Sequence, residues 1–100
     1  MSKIKHLNLK DAAKFFTALG NERRLEILFI LERHEVSVGH LAEMIGISQS
    51  SLSQHLSIFR ELGLVRSRRV SQTVYYRCDN PFVLTMLRHI KQRFCGSATT

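Results

Sequence analysis

The chain has 100 residues, of which 44% are hydrophobic and 23% charged, and its formal net charge is +7 at pH 7. This length predicts one domain over residues 1–100, with a frayed tail at 96–100, and the excess of basic residues favours a polyanionic partner. There is no apolar stretch typical of a membrane span or signal peptide, so we expect a cytoplasmic protein with no membrane partner.

Two helices are predicted in the first third of the chain. Apolar residues at helical spacing predict the first over Leu9–Leu19, and Gly20 ends it. Asn21 is a good cap for the second helix, which closes at Arg33 and His34. The apolar sides of the two helices are formed by Ala12, Phe15, Phe16 and Leu19, and by Leu25, Leu28, Phe29 and Leu31.

A pair of helices joined by a tight turn is predicted next. Val36 and Val38 bracket a short extended piece that leads into this pair. The first helix turns Leu41, Ala42 and Ile45 inward, and the turn is Gly46-Ile47. The second begins at Ser48, whose hydroxyl can cap it, and its buried stripe is Leu52, Leu56 and Phe59.

The opposite face of this second helix carries only uncharged polar side chains and one histidine. An ordinary solvated face favours Glu and Lys, which form helices well and pair along them. Serine and glutamine can donate and accept hydrogen bonds, which suits the mixed pattern of base edges in the major groove of DNA. We therefore predict that the DNA-binding residues of this helix are Ser48, Gln49, Ser50, Ser51, Ser53, Gln54 and His55.

After Gly63, which is placed to cap the helix, the pattern changes to that of a two-stranded ribbon. Residues 64–70 alternate and residues 73–78 are rich in β-branched and aromatic side chains, with no signal for a particular turn type between them. Such a ribbon is typical of a wing, on which Arg68, Arg69 and the tip residue Gln72 would reach phosphates or a narrow minor groove. Arginines also protect the edge of a hairpin, and both interpretations stay open.

A last amphipathic helix follows Asn80-Pro81, a break at which proline suits the helix start. Its apolar stripe fits either the core or a dimer interface, and we favour the interface because the earlier helices already supply a core. The predicted dimer residues are Val83, Leu87, Ile90 and Phe94, helped by Phe15 and Phe16 in the first helix.

These segments together resemble the ArsR/SmtB family of bacterial winged-helix repressors. The matching strings are ALGNERRLEIL at 18–28, EVSVGHLAEMIGISQSSLSQHLSIFRELGLV at 35–65 and TVYYR at 73–77, and the Phe94-Cys95 pair resembles the HlyU/BigR-like subgroup. The resemblance implies a mainly α winged helix-turn-helix with a two-stranded β wing, dimeric through its terminal helices. It also implies a homodimer on an inverted-repeat operator in double-stranded promoter DNA, released by an inducer that the sequence does not identify.

The chain departs from the metal-sensing branch of that family. Ser37 and Gly39 stand where that branch has its two cysteines, and His40 alone cannot complete a tetrahedral site. The zinc pattern of the last helix is also missing, because His89 has Gln92 three residues later. We therefore expect no metal site and no cofactor.

The HlyU-like branch suggests a thiol sensor instead. Cys95 matches its cysteine in the last helix, but Phe29 stands where the cysteine of the second helix would fall. The other cysteine, Cys78, ends the second wing strand, and the sequence cannot place it against Cys95. Cys95 and Cys78 are thus candidate redox residues, against the alternative of two unpaired cytosolic thiols.

The resulting prediction is a dimeric, sequence-specific transcriptional regulator that acts as a repressor. The alternative is a winged-helix module that docks on another protein and does not read DNA. The polar helix face and the wing arginines argue against that alternative. An enzyme is not expected, because the chain has no Cys-His motif, phosphate-binding glycine loop or carboxylate pair.

Overall fold

The computed structural model describes residues 6–95, so the predicted fraying of 96–100 lies outside the described residues. Each helix within this range is too short or too polar to span a lipid bilayer. The elements follow in the order α1 (Leu9–Leu19), α2 (Glu22–Arg33), β1 (Val36–Ser37), α3 (Val38–Ile45), α4 (Gln49–Glu61), β2 (Arg66–Val70), β3 (Thr73–Arg77) and α5 (Pro81–Phe94).

Side-chain caps explain where the helices begin. The Asn21 side chain accepts a hydrogen bond from the backbone N–H of Arg24 at 3.0 Å, which satisfies one of the donors left free in the first turn of α2. Asn80 does the same for α5, where Pro81 at the first helical position has no N–H to satisfy. The predicted bounds of α1 and the predicted start of α2 are confirmed.

The three strands form one antiparallel sheet in the order β1-β3-β2. The β2–β3 hairpin is the predicted wing, and its register ends at the Val70–Thr73 pair, which leaves Ser71 and Gln72 as a two-residue turn. Ser71 has a positive φ of 58°, the conformation that short hairpin turns require at their first central residue. The sheet also contains β1, whose Val36 pairs with Tyr76 of β3, and this pairing was not predicted.

The hydrophobic core lies between the helices and the inner face of the sheet. The backbone N–H of Cys78 donates to the Leu31 carbonyl at 3.1 Å, which fixes the end of β3 against α2. The largest fully buried side chains come from α2, α3, α4, α5 and the residue after β3, and are Ile27, Leu28, Leu31, Leu41, Leu52, Leu56, Phe59, Cys78, Val83 and Leu87.

The role predicted for α5 is corrected by this core. Val83 and Leu87 were predicted to form a dimer seam, but both are 0% exposed within the single chain, so neither has surface left for a partner. Ile90 is half-buried against the same core, whereas Phe94 is 75% exposed. Helix α5 therefore contributes one apolar side to its own protomer and leaves another uncovered.

Candidate DNA-binding surface

Helices α3 and α4 form a helix-turn-helix whose geometry depends on two serine caps and one glycine. Ser37 Oγ accepts from the His40 N–H at 3.2 Å, and Ser48 Oγ accepts from the Ser51 N–H at 3.0 Å, so each helix begins at a serine. Between them Gly46 adopts φ +81°, a left-handed conformation that favours glycine. The turn residues therefore fix the angle at which α4 leaves α3.

Helix α4 is amphipathic in the predicted sense. Leu52, Leu56 and Phe59 are buried in the core on its inner face, which fixes the rotation of the helix about its axis. The outer face begins at the N-cap, and its exposed polar residues are Ser48, Gln49, Ser50, Ser53 and Gln54. Ser51 is half-buried, with its backbone N–H engaged by the cap. The helix thus presents neutral donors and acceptors in its first two turns.

His55 does not belong to this open face. It is half-buried, and its Nδ1 accepts a hydrogen bond from Arg24 Nε in α2 at 3.1 Å. Desolvation by burial, and then the charge of Arg24, lower the pKa of His55 below its ordinary value. The prediction that His55 faces the groove with its neighbours is therefore corrected, because the side chain joins α4 to α2.

The wing arginines differ in what they contact. Arg68, predicted to bind DNA, instead forms a two-bond ion pair with the Glu35 carboxylate, with both N–O distances 2.7 Å. The Arg68 guanidinium also lies 5.2 Å from the centre of the Tyr75 ring. Arg66 forms a single ion-pair contact with Asp79, with Nη2 and Oδ2 2.8 Å apart.

Arg69 and Gln72 are the predicted wing residues that remain open. Both are exposed, and none of the ion pairs formed within residues 6–95 includes Arg69. Because successive strand residues alternate, Arg69 lies on the opposite face of the wing from Arg68, beside its cross-strand neighbour Val74. Gln72 occupies the hairpin turn.

The two cysteines lie in different environments. Cys78 is 1% exposed, and burial raises the pKa of its thiol to about 11, so it is a protonated core side chain near neutral pH. Its candidacy as a redox residue is therefore corrected, since the thiolate is the reactive form. Cys95 is exposed at the C-terminal cap of α5, and both thiols are free.

The position of the expected sensor cysteine is filled by an aromatic ring. Phe29 lies half-buried in α2, and the Lys91 ammonium of α5 lies 5.6 Å from its ring centre. Lys91 also pairs with Glu32, so α2 and α5 are joined by charge and cation–π contacts at this level. Within residues 6–95, no three His, Cys, Asp or Glu side chains come together in a way that could hold a metal ion.

A buried helical core, a helix-turn-helix with a neutral outer face and a hairpin beside it define a winged helix-turn-helix protein. Residues 21–67 match the model of a family described as "Bacterial regulatory protein, arsR family". The chain is 47% identical over 83 residues to nodulation protein NolR of Rhizobium meliloti, covering 83% of this chain and 68% of that protein. It is 41% identical over 88 residues to transcriptional activator HlyU of Vibrio cholerae, covering 88% and 82%.

The crystal structure of NolR from Sinorhizobium fredii superimposes with a TM-score of 0.86 at 41% identity, over 94% of each chain. The chain belongs to the arsR family of bacterial regulatory proteins. It is a winged helix-turn-helix transcriptional regulator, as the resemblance implied, and its family consists of DNA-binding regulators and not of enzymes.

Sequence reasoning missed two residues that shape the surface. Glu35 and Arg24 lie 33 and 31 positions from Arg68 and His55, so no local pattern pairs them. The only related signal in the sequence is the alternation of residues 64–70, which places Arg66 and Arg68 on one face of the wing but names no partner for either.

Proposed function

We propose that this chain acts in the cytoplasm as a homodimeric repressor, with no catalytic activity, that binds an inverted-repeat operator in promoter DNA and leaves it when an inducer is sensed. The observation that carries this proposal is the outer face of α4, where exposed Gln and Ser side chains lie opposite Leu52, Leu56 and Phe59. The buried residues set the direction of the polar ones, and a rigidly aimed row of neutral donors and acceptors suits base recognition better than a solvated helix does.

Base contacts are assigned to the N-terminal half of α4. Gln49 and Gln54 each carry an amide that can bond adenine at two points in the major groove. The hydroxyls of Ser50 and Ser53 can bond either a base edge or a phosphate oxygen. Ser48 supports these contacts by capping the helix end that enters the groove, where its Oγ accepts a hydrogen bond from the Ser51 N–H.

The wing is assigned to the DNA backbone. Arg69 is exposed and forms no ion pair with a carboxylate in residues 6–95, and Gln72 is exposed in the hairpin turn. Contacts of this kind position a protein on DNA without reading its sequence. Arg68 is left out of this set, because Glu35 already occupies its guanidinium.

The dimer interface is assigned to an aromatic surface formed by α1 and the start of α5. Phe15 contacts Phe16 edge-on, with ring centres 5.4 Å apart, and its ring centre lies 5.1 Å from that of Phe82. Phe16 and Phe82, which both pack against Phe15, are 59% and 58% exposed, and adjoining exposed apolar side chains of this size are typical of an interaction surface.

The proposal is tested by titrating the protein with the DNA upstream of its own gene and with a random duplex, at one stated salt concentration. A repressor of this kind is expected to bind the upstream DNA about 1,000-fold more tightly or better. Equal affinity for the two duplexes would instead identify a protein-docking module with a basic surface.

A further inference from the structure

The ion pair between Glu35 and Arg68 has a geometry that DNA itself could offer. Arg68 Nε and Nη2 each donate to one Glu35 carboxylate oxygen at 2.7 Å, so two parallel bonds occupy the Nε–Nη2 edge of the guanidinium. A guanidinium binds phosphate through the same two-point arrangement. The carboxylate of Glu35 therefore occupies the part of Arg68 that a backbone phosphate would bind.

The pair is held in place from both sides. Glu35 lies in the segment between α2 and β1, which is anchored by the pairing of Val36 with Tyr76. Arg68 is in the middle of β2, and the Tyr75 ring directly across the strand lies under its guanidinium. Because the sheet fixes the backbone of both segments, the two side chains lie within reach of each other.

The charge of Glu35 is maintained by its surroundings. The hydrogen bonds from Arg68, with the nearby charges of Arg77 and Arg66, hold the pKa of the Glu35 carboxyl below its usual range. The carboxylate is thus ionised throughout the neutral pH range, where the protein would meet DNA. An exposed ion pair of this kind adds little to stability, so its electrostatic effect on the wing is the larger consequence.

We propose that Glu35 competes with DNA phosphate for Arg68 and so lowers the affinity of the wing for any duplex, whatever its sequence. This inference rests on the proposed function, because it requires the wing to approach the DNA backbone. In wild-type protein the wing then engages the backbone through Arg69, while Arg68 remains bound to Glu35. Glu35 acts through Arg68 and does not itself contact DNA.

The test is the salt dependence of binding to a random duplex between 50 and 200 mM salt. In Glu35→Gln the freed Arg68 gains a phosphate, so the slope of log affinity against log salt becomes steeper by about 0.9. The affinity of the variant for the random duplex should then fall about 3.5-fold more than that of the wild-type protein across this range of salt. The glutamine side chain of this variant could still offer Arg68 one neutral acceptor, whereas alanine offers none. Glu35→Ala is therefore a second variant, and it should give the same steeper slope.

Two matched variants separate this effect from altered charge or altered folding. Glu61→Gln removes the same charge at an exposed position that forms none of the ion pairs within residues 6–95, and its slope should equal that of wild type. The double variant Glu35→Gln with Arg68→Gln should also return to the wild-type slope, because the freed charge is gone.

An unchanged or shallower slope in Glu35→Gln would overturn the inference, as would a double variant that keeps the steeper slope. A shallower slope would show that Glu35 supports the wing and does not restrain it. The proposed function is tested separately with the wild-type protein. It fails if that protein binds the upstream DNA and the random duplex with equal affinity.

Discussion

At the residue scale, the contact between His55 and Arg24 makes the stability of the protein depend on pH. Burial and the Arg24 charge lower the pKa of His55 from its ordinary value of 6.5, so protonation favours the unfolded chain. The stability that neutral His55 contributes is fully present above the unfolded-state pKa of this histidine. It is lost as the pH falls through the lower folded-state pKa. We expect the free energy of unfolding to decrease from pH 7.5 to pH 5.5, as measured by urea denaturation.

The variant His55→Gln isolates this contribution, because glutamine keeps an acceptor for the Arg24 Nε–H and does not titrate. Its unfolding free energy should fall less than that of wild type over the same interval. His40 is exposed, and its side chain forms no hydrogen bond within residues 6–95, so His40→Gln serves as the control and should retain the wild-type dependence. Identical pH dependence in wild type and His55→Gln would contradict the assignment.

At the scale of elements, the sequence predicted whatever depends on neighbours within about one helical turn or one strand. The apolar spacing of Leu52, Leu56 and Phe59 gave the rotation of α4, and Ser48 gave its start. The sequence predicted the short extended piece at Val36, but its pairing with β3 joins segments far apart in the chain and could not be predicted from a local pattern. The outer face of α4 could be predicted from the sequence. The contact that turns the His55 side chain towards Arg24 of α2, away from that face, could not.

Helix α5 shows the limit of periodicity most clearly. An apolar stripe has the same spacing whether it packs on its own core or on a second protomer, so the sequence could not separate Leu87 from Phe94. The structure divides them, because the side of α5 that carries Val83 and Leu87 meets the core. The division follows from the direction in which the chain enters α5 at Asn80, which a one-dimensional pattern does not contain.

This division predicts that Leu87→Ala destabilises each protomer. Removing a fully buried leucine side chain should lower the free energy of unfolding by about 2–5 kcal/mol, because the cavity closes only in part. The loss should be the same at two protein concentrations that differ tenfold, measured by chemical denaturation. Thr85→Ala, at an exposed position of the same helix, is the control. If the decrease in unfolding free energy disappeared at the higher protein concentration, Leu87 would instead belong to the dimer interface.

At the scale of the whole molecule, binding to an inverted repeat requires a second copy of the chain. Twofold symmetry would place two α4 helices about 34 Å apart, so that both enter successive major grooves on one side of the duplex. The aromatic surface of Phe15, Phe16 and Phe82 is the part of the described chain that this copy is proposed to cover. Binding to an inverted repeat would be lost if the copies separated, although each protomer would keep its own core.

Accordingly, Phe16→Glu should produce folded monomers. A carboxylate at the centre of an apolar interface would lose its hydration without gaining a partner, whereas in the monomer the same position is solvent-exposed. Sedimentation at micromolar concentration should show the monomer mass, and circular dichroism should show an unchanged helix content. Thr17→Glu, at the neighbouring exposed position, controls for added charge. A Phe16→Glu protein that still sediments as a dimer would exclude this surface as the interface.

The most direct measurement is the affinity of Gln54→Ala for the upstream DNA and for a random duplex at the same salt concentration. If α4 reads bases, the variant should lose about 1–3 kcal/mol of binding free energy on the upstream DNA and little on the random duplex. Gln92→Ala makes the same chemical change at an exposed position of α5 and should leave both affinities unchanged. Equal losses on the two duplexes would show that Gln54 does not read bases and would contradict the assignment of α4 as the recognition helix.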